Sequence, residues 1–274
     1  MELLGNTNLN IPFKKIRIIP LKHYSGNFNM AIDYYFSEQM QKINEPVLRF
    51  YGWKPFCLSL GRHQDVNTVN IKKLISDGFD LVRRPTGGSA IFHSDELTYS
   101  IVVPKNLMHH KELYFIMHQI LYRTLRKLGY NVEFHIQNDA ENYLKNGNAT
   151  FICFNRSAYT EIKYNGKKLV GSAQKIFSDS ILQHGSILID KTQNKIVEYF
   201  GNNADIQKEN LEYLTEHATS LNQISDKKID IEKLSVNIIA DLKESLEIYL
   251  KSLSEEEFQQ AKKYCSEFTV KNIT

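Results

Sequence analysis

Three observations predict an α/β (α+β) fold with antiparallel strand pairing. Asn165-Gly166 stands between two segments of alternating character. Both central positions of a type I′ turn need φ > 0, so this pair predicts a hairpin of 157–164 with 167–175. Leu113, Met117, Leu121, Leu125 and Leu128 recur at spacings of three and four. They mark one apolar face of a helix over 109–129, ended by Gly129. The 274 residues suit one large α/β domain, or one with a small appendage, and an apolar content of 42% supplies its core.

The remaining elements follow in order. Residues 1–13 read as a polar arm and 15–21 as a strand. Asn27 or Asn29 is a candidate cap for a helix reaching about Ile43. Its Asp33 reads as an ordinary acid of the first turns, favoured by the helix dipole. Two short strands, 47–53 and 55–60, flank Lys54-Pro55. His63 and Gln64, on the turn that follows, are candidate pocket residues. A short helix at 71–75, a strand at 79–83 and a strand at 96–103, stopped by Pro104, come next. A strand at 130–136 leads to a polar stretch at 138–150, then Cys153. Another strand spans 180–190, and helices are expected at 208–217 and, in one long run, 231–249. Ser254 and Glu257 have capping-box spacing and open a last helix with Phe258, Ala261, Cys265 and Phe268 inward.

Composition excludes several classes. A net charge of +3 is too small and dispersed for a nucleic-acid binder. No run of about 18 apolar residues predicts a membrane span. The N-terminal residues lack the basic and apolar regions of a signal peptide. Cys57, Cys153 and Cys265 are odd in number, far apart and without a CxxC. That pattern fits a reducing cytoplasm rather than a disulfide framework or zinc site.

The stretch 151–186 concentrates candidate chemistry: Cys153 in Phe151-Ile152-Cys153-Phe154, the Lys167-Lys168 pair after the turn, Gly171-Ser172-Ala173, and Gln183-His184-Gly185-Ser186. Singly, each has a structural reading: a buried core thiol, edge charge that discourages strand pairing, and small residues where backbones approach. Together they allow a thiolate nucleophile with a nearby lysine favouring the ionised form. Spacing leaves open whether Lys168 meets Cys153. His184 reads either as a general base or as a support for the pocket. Earlier, Arg83-Arg84-Pro85-Thr86-Gly87-Gly88-Ser89-Ala90-Ile91-Phe92-His93 carries a glycine pair that admits close approach of a ligand to backbone N–H groups.

These motifs resemble the lipoate-attachment superfamily of lipoate–protein ligases, octanoyltransferases and, more distantly, biotin–protein ligases. The likeness runs from about Lys15 to Asp190 and is weaker beyond. Its carriers are Asn29-Met30-Ala31-Ile32-Asp33, the run 83–93, Glu96-Leu97-Thr98-Tyr99-Ser100, Lys168-Leu169-Val170-Gly171-Ser172-Ala173 and the run 182–187. A cysteine fifteen positions before the lysine is similar to the octanoyltransferases of the LipM type. Ser89 and Ser94 stand where many ligases have glycine and aspartate.

The resemblance implies a single catalytic domain over 1–274, with a mixed, largely antiparallel sheet flanked by helices and a helical C-terminal part, 191–274. No separate accessory domain, such as many ligases carry, is expected. It implies catalysis by Cys153 and Lys168. Arg83, Gly87, Gly88, Ser89, His93, Gly171, Ser172, Ala173, His184 and Gly185 would form the substrate site, between the Gly87-Gly88 turn and the Lys168 strand. The implied activity transfers octanoyl from octanoyl-acyl carrier protein, through a Cys153 thioester, to a lysine of a lipoyl-domain protein such as the glycine-cleavage H protein. It would need neither ATP nor metal, and a monomer is expected. The alternatives are an ATP-dependent lipoate–protein ligase, an amidotransferase of the LipL type between lipoyl domains, and a non-catalytic binding module.

Overall fold

The computed structural model describes residues 10–136, 160–200 and 203–270. The polar arm (in large part), the stretch 138–150, Cys153 and the first residues of the expected hairpin lie outside them.

The scaffold is a six-stranded mixed sheet. Its strands are β1 (Lys15–Tyr24), β2 (Val47–Trp53), β6 (Glu96–Pro104), β10 (Val170–Ile176), β11 (Ser180–Leu188) and β12 (Glu247–Leu250). Their order is β10-β11-β6-β2-β1-β12. The three pairs from β10 to β2 are antiparallel, whereas β1 is parallel to both neighbours. Strands β2, β6 and β11 are buried along their whole length, because both sheet faces are covered.

One face packs on α4 (His110–Lys127) and α6 (Ile231–Leu242). The predicted apolar stripe Leu113, Met117, Leu121 and Leu125 is buried there with Ile18, Leu48, Phe50 and Tyr99 of the sheet. The other face carries α1 (Gly26–Glu38), with Phe28, Met30, Ile32 and Phe36 against Tyr51, Trp53 and Val102. Behind α1 lie α7 (Glu255–Lys262) and α8 (Cys265–Phe268). The capping box of α7 forms as expected, and its Glu257 also pairs with buried Arg17 of β1 at 2.5 Å.

A second sheet, of β3 (Cys57–Leu60), β4 (Asp80–Arg83) and β5 (Ile91–His93), packs beside α1. A third joins β7 (Glu133–Ile136), β8 (Thr160–Tyr164) and β9 (Lys167–Lys168). Cys57 is fully buried beside Gly26, and burial pushes its thiol well above the ordinary range, as suits packing.

Three expectations change. Neither asparagine caps α1: Ser25 holds the cap position, and the Asp80 carboxylate accepts from Gly26 N at 2.8 Å. Asn29 is instead buried, its amide donating to the carbonyls of Tyr24 and Gly52. The helix expected over 231–249 ends at Leu242, and Glu247–Leu250 adds to the free edge of β1 as a strand. The hairpin turn forms, with φ of 47° and 76° at Asn165 and Gly166, but only Lys167 and Lys168 pair back to β8. At Leu169 the chain leaves that sheet, and β10 joins β11. The switch replaces simple alternation with four successive buried residues, 168–171.

Candidate active site

The open space between the main sheet, the second sheet and α1 is a cavity of about 390 Å³. Its floor is a row of residues in register across four strands: Gly171, Ser186, Thr98 and Tyr51. Three interstrand spacings make that row roughly 14 Å long. Side chains are small at the β10 end and large at the β2 end, where Trp53 and Met30 join Tyr51 in the wall. The Gly87-Gly88 turn, Ser89 and Ile91 form the opposite side. Lys168 lies at the β10 end, and Lys111 and Tyr114 of α4 line the cavity as well.

The buried side chains of Arg84, His93, His184 and Lys168 are each held by polar partners. The buried Arg84 donates to the carbonyls of Ser59, Gly87 and Ser89, at 3.2, 2.8 and 2.7 Å, and so fixes the glycine turn. Gly88 has φ +91°, and Gly61 packs so closely on its carbonyl that a Cβ there would meet the oxygen at 1.9 Å. His93 stacks on Trp53 with ring centres 3.9 Å apart. Its Nδ1 lies 2.6 Å from Glu96 Oε1 and its Nε2 2.7 Å from Ser59 Oγ. Thr98 and Ser186 also donate to Glu96 Oε1, at 2.8 and 2.7 Å.

His184 Nε2 shares a 2.6 Å hydrogen bond with Thr86 Oγ1, and its Nδ1 faces Asp33 Oδ2 at 3.6 Å. Burial holds this imidazole below its ordinary pKa, with the Asp33 carboxylate working against it. Asp33 accepts from Arg49, Tyr51 and Ser100 at 2.7, 3.1 and 2.6 Å. Burial alone would raise its carboxyl; Arg49, His184 and Ser100 together bring it below the ordinary value. Asp33 is therefore the buried anchor of the wall behind His184, not the helix-dipole acid its sequence position suggests.

Lys168 is buried and pairs with Glu161 Oε1 at 3.2 Å, and Lys163 meets the other carboxylate oxygen at 2.6 Å. Burial would raise Glu161, and the two ammonium groups outweigh it, leaving the carboxyl below its ordinary pKa. Below Lys168, His118 Nε2 and Tyr99 Oη both bond to Ser172 Oγ, at 2.9 and 2.8 Å. Burial, with Lys168 nearby, pulls the His118 imidazole down to about 3, so it is neutral at physiological pH. Gly185 leaves room for this cluster: a Cβ there would lie 2.3 Å from Ser172 Oγ and 2.8 Å from Gly171 O.

A sequence model of the lipoyl protein ligase A/B catalytic domain matches residues 25–243. The chain belongs to the lipoyl protein ligase A/B catalytic-domain family. Relatives of this domain include the octanoyltransferase LipM of Lysinibacillus sphaericus (strain C3-41), 32% identical over 90% of this chain and 95% of that protein. The octanoyltransferase LipM of Clostridioides difficile (strain 630) is 34% identical over 85% of this chain and 87% of its own. Among solved structures, a bipartite lipoate protein ligase from Thermoplasma acidophilum, studied with its E2 lipoyl domain, superposes with a TM-score of 0.73. It is 18% identical and covers 93% of this chain and 92% of its own. A lipoate-protein ligase A bound with ATP gives 0.72 at 19% identity, covering 93% and 95%.

Of the residues singled out in the sequence of this lipoyl ligase A/B domain, Gly87, Gly88, Ser89, His93, Lys168, Gly171, Ser172, Ala173, His184 and Gly185 all line the cavity. Arg83 does not. Its Nη1 donates to the carbonyls of Gly61, Arg62 and Gln64 at 3.0, 3.3 and 2.7 Å, and Arg84 takes the cavity position. Strand alternation sends the two arginines to opposite sides, and sequence alone leaves open which side faces the cavity. His63 is exposed and Gln64 binds back to Gly61 N, so neither lines the cavity. Glu161, His118 and Arg49 are the supporting groups that sequence reading missed. A charged residue in a strand and a histidine on an apolar helix face were their only signals. Among the described residues there is no cluster of metal-ligating side chains, and no helix is long and apolar enough to cross a membrane.

Proposed function

We propose that this chain is an octanoyltransferase of lipoate assembly, working as one catalytic domain in the cytoplasm through Cys153 and Lys168. The observation that carries the reading is the likeness to octanoyltransferases LipM at 32–34% identity over most of both chains. The cavity supports it. An extended octanoyl chain measures roughly 9 Å and fits the row from Gly171 to Tyr51. Burying its methylenes contributes about 0.8 kcal/mol each.

In the first step the Cys153 thiolate attacks the thioester carbonyl of octanoyl-acyl carrier protein. A new C–S bond forms, the carrier's C–S bond breaks, and the carrier thiolate leaves and takes up a proton. In the second step a neutral lysine amine of a lipoyl domain, such as that of H protein, attacks the acyl-enzyme. The amide forms, its nitrogen loses a proton, and Cys153 leaves as thiolate. Lys168, held by Glu161, supplies the positive charge that favours that thiolate. Lys168, Ser172 and the Gly87-Gly88 turn surround the place for the carbonyl end, and Met30, Tyr51 and Trp53 surround the tail. Thioester exchange followed by amide formation runs downhill without ATP.

Intact mass measurement tests this. Incubation with octanoyl-acyl carrier protein, without ATP, should add one octanoyl group, removable by hydroxylamine and absent in Cys153→Ala. Octanoylation of a lipoyl domain only when free octanoate and ATP are supplied would instead mean a ligase.

A further inference from the structure

The cavity opens onto a rim of positive charge that catalysis inside it does not use. Lys111 lines the cavity itself. Beside it, the Gln174 side chain donates to His110 O at 2.8 Å, tying the start of α4 to β10. The next residue on β10, Lys175, lies 4.3 Å from the centre of the Phe177 ring. Arg62, close enough to act electrostatically on Lys175, is exposed on the loop that Arg83 clamps through three carbonyls. Arg62 N also donates to Thr86 O at 2.9 Å, which fixes that loop against the glycine turn. Arg83 thus builds the rim rather than the cavity.

The rim is charged against its own interest. Burial lowers the pKa of Lys175, and Arg62 adds to that, with Glu38 and Glu267 only partly compensating. Burial also lowers His110, helped by His109 and Lys111. Among the described residues no ion pair involves Arg62, Lys111 or Lys175. Like charges held together at the mouth of a site attract an anionic partner and raise its rate of encounter.

We infer that Arg62, Lys111 and Lys175 form the docking surface for the acyl donor's carrier protein, receiving the phosphodiester of its pantetheine arm and the acidic face around it. This assignment rests on the octanoyltransferase reading. Reach agrees with it. From Gly171, at the carbonyl end of the cavity, to Lys175 is four strand residues, about 13 Å. The arm from thioester sulfur to phosphorus has about thirteen bonds, a little over four extended residues, or roughly 15 Å. A thioester at Gly171 therefore places the phosphate at the rim. The acceptor lysine of a lipoyl domain carries no phosphate, so the rim suits the donor.

The test compares two donors on the full chain: octanoyl-acyl carrier protein, and S-octanoyl-N-acetylcysteamine, which has neither phosphate nor protein. Acylation of the enzyme is read by intact mass over time, for wild type, R62E/K175E and the milder R62A/K175A. The charge reversal should lower kcat/KM at least tenfold more with the carrier than with the truncated thioester, and should flatten its fall with salt. The alanine pair should do the same to a smaller degree. Equal loss with both donors, or none with the carrier, overturns the docking assignment while leaving the transferase intact. A variant that takes octanoyl from the carrier normally but passes it slowly to a lipoyl domain overturns it too, because the rim would then serve the acceptor. Wild type that accepts octanoyl from neither donor defeats the transferase reading itself.

Discussion

Lys168 and Glu161 illustrate how the site spends stability on position. Both are buried, and their 3.2 Å contact crosses the short pairing of β8 and β9. Removing one member of a buried ion pair typically costs about 3–5 kcal/mol, because the other charge stays desolvated. We therefore expect Glu161→Gln to lower the urea-unfolding free energy by about 3 kcal/mol and to slow enzyme acylation more than tenfold. An unchanged unfolding midpoint together with an unchanged rate would show that Lys168 needs no counter-charge. Lysine at this position was legible through the Lys168-Leu169-Val170-Gly171-Ser172-Ala173 run. Its partner was not, since an acid seven residues earlier pairs with it only after the chain has turned back on itself.

At the scale of elements, the strand after the Asn-Gly turn is shared between two sheets. Lys167 and Lys168 serve the small sheet, and Val170–Ile176 serves the large one. That switch brings Lys168 to the edge of the cavity and puts Gly171 and Ala173 in its floor. The crossing depends on close backbone approach at Gly185, where a Cβ would lie 2.8 Å from the Gly171 carbonyl. Backbone cannot swing aside as a side chain can. Gly185→Ala should thus destabilise by about 1–3 kcal/mol, seen as a lower midpoint in thermal unfolding, and should slow acylation as Ser172 is displaced. An alanine variant as stable and active as wild type would remove the close-packing explanation. The turn itself was readable from two residues, because their φ preferences are local. Where pairing ended was not, because it depends on which sheet offers the better partner for Val170.

Across the whole molecule, buried or half-buried carboxylates tie neighbouring elements together. Asp33 joins α1 to β2 and β6, Glu161 joins β8 to β9, and Glu257 joins α7 to β1. For Glu257, burial raises the carboxyl and Arg17 outweighs it, so all three end below their ordinary values. A folded pKa below the unfolded one means that the unfolded chain binds more protons as pH falls. Their contribution is complete above the ordinary carboxylate range and is lost on acidification through the folded values. The buried imidazoles of His118 and His184, also held below their ordinary values, act in the same direction at higher pH, so we expect the melting temperature to fall from about pH 6.5 downward and to go on falling through the carboxylate range. A melting temperature unchanged down to pH 3.5 would contradict the linkage.

The local and periodic features were determined by sequence alone: the α4 stripe, the α7 capping box and the I′ turn. Each depends on residues within a few positions of one another, where propensity and period act directly. The motif glycines and Lys168 were legible as site residues only through the resemblance of their runs to the lipoate-attachment superfamily. Tertiary structure alone decided which of Arg83 and Arg84 faces the cavity, that Asp33 is buried against Arg49, that Glu161 holds Lys168, and that 247–250 is a strand. Those outcomes follow from desolvation and from pairing between elements that meet only once the chain has folded. A buried charge must find its partner wherever the fold places one, and an open sheet edge takes whichever segment lies beside it.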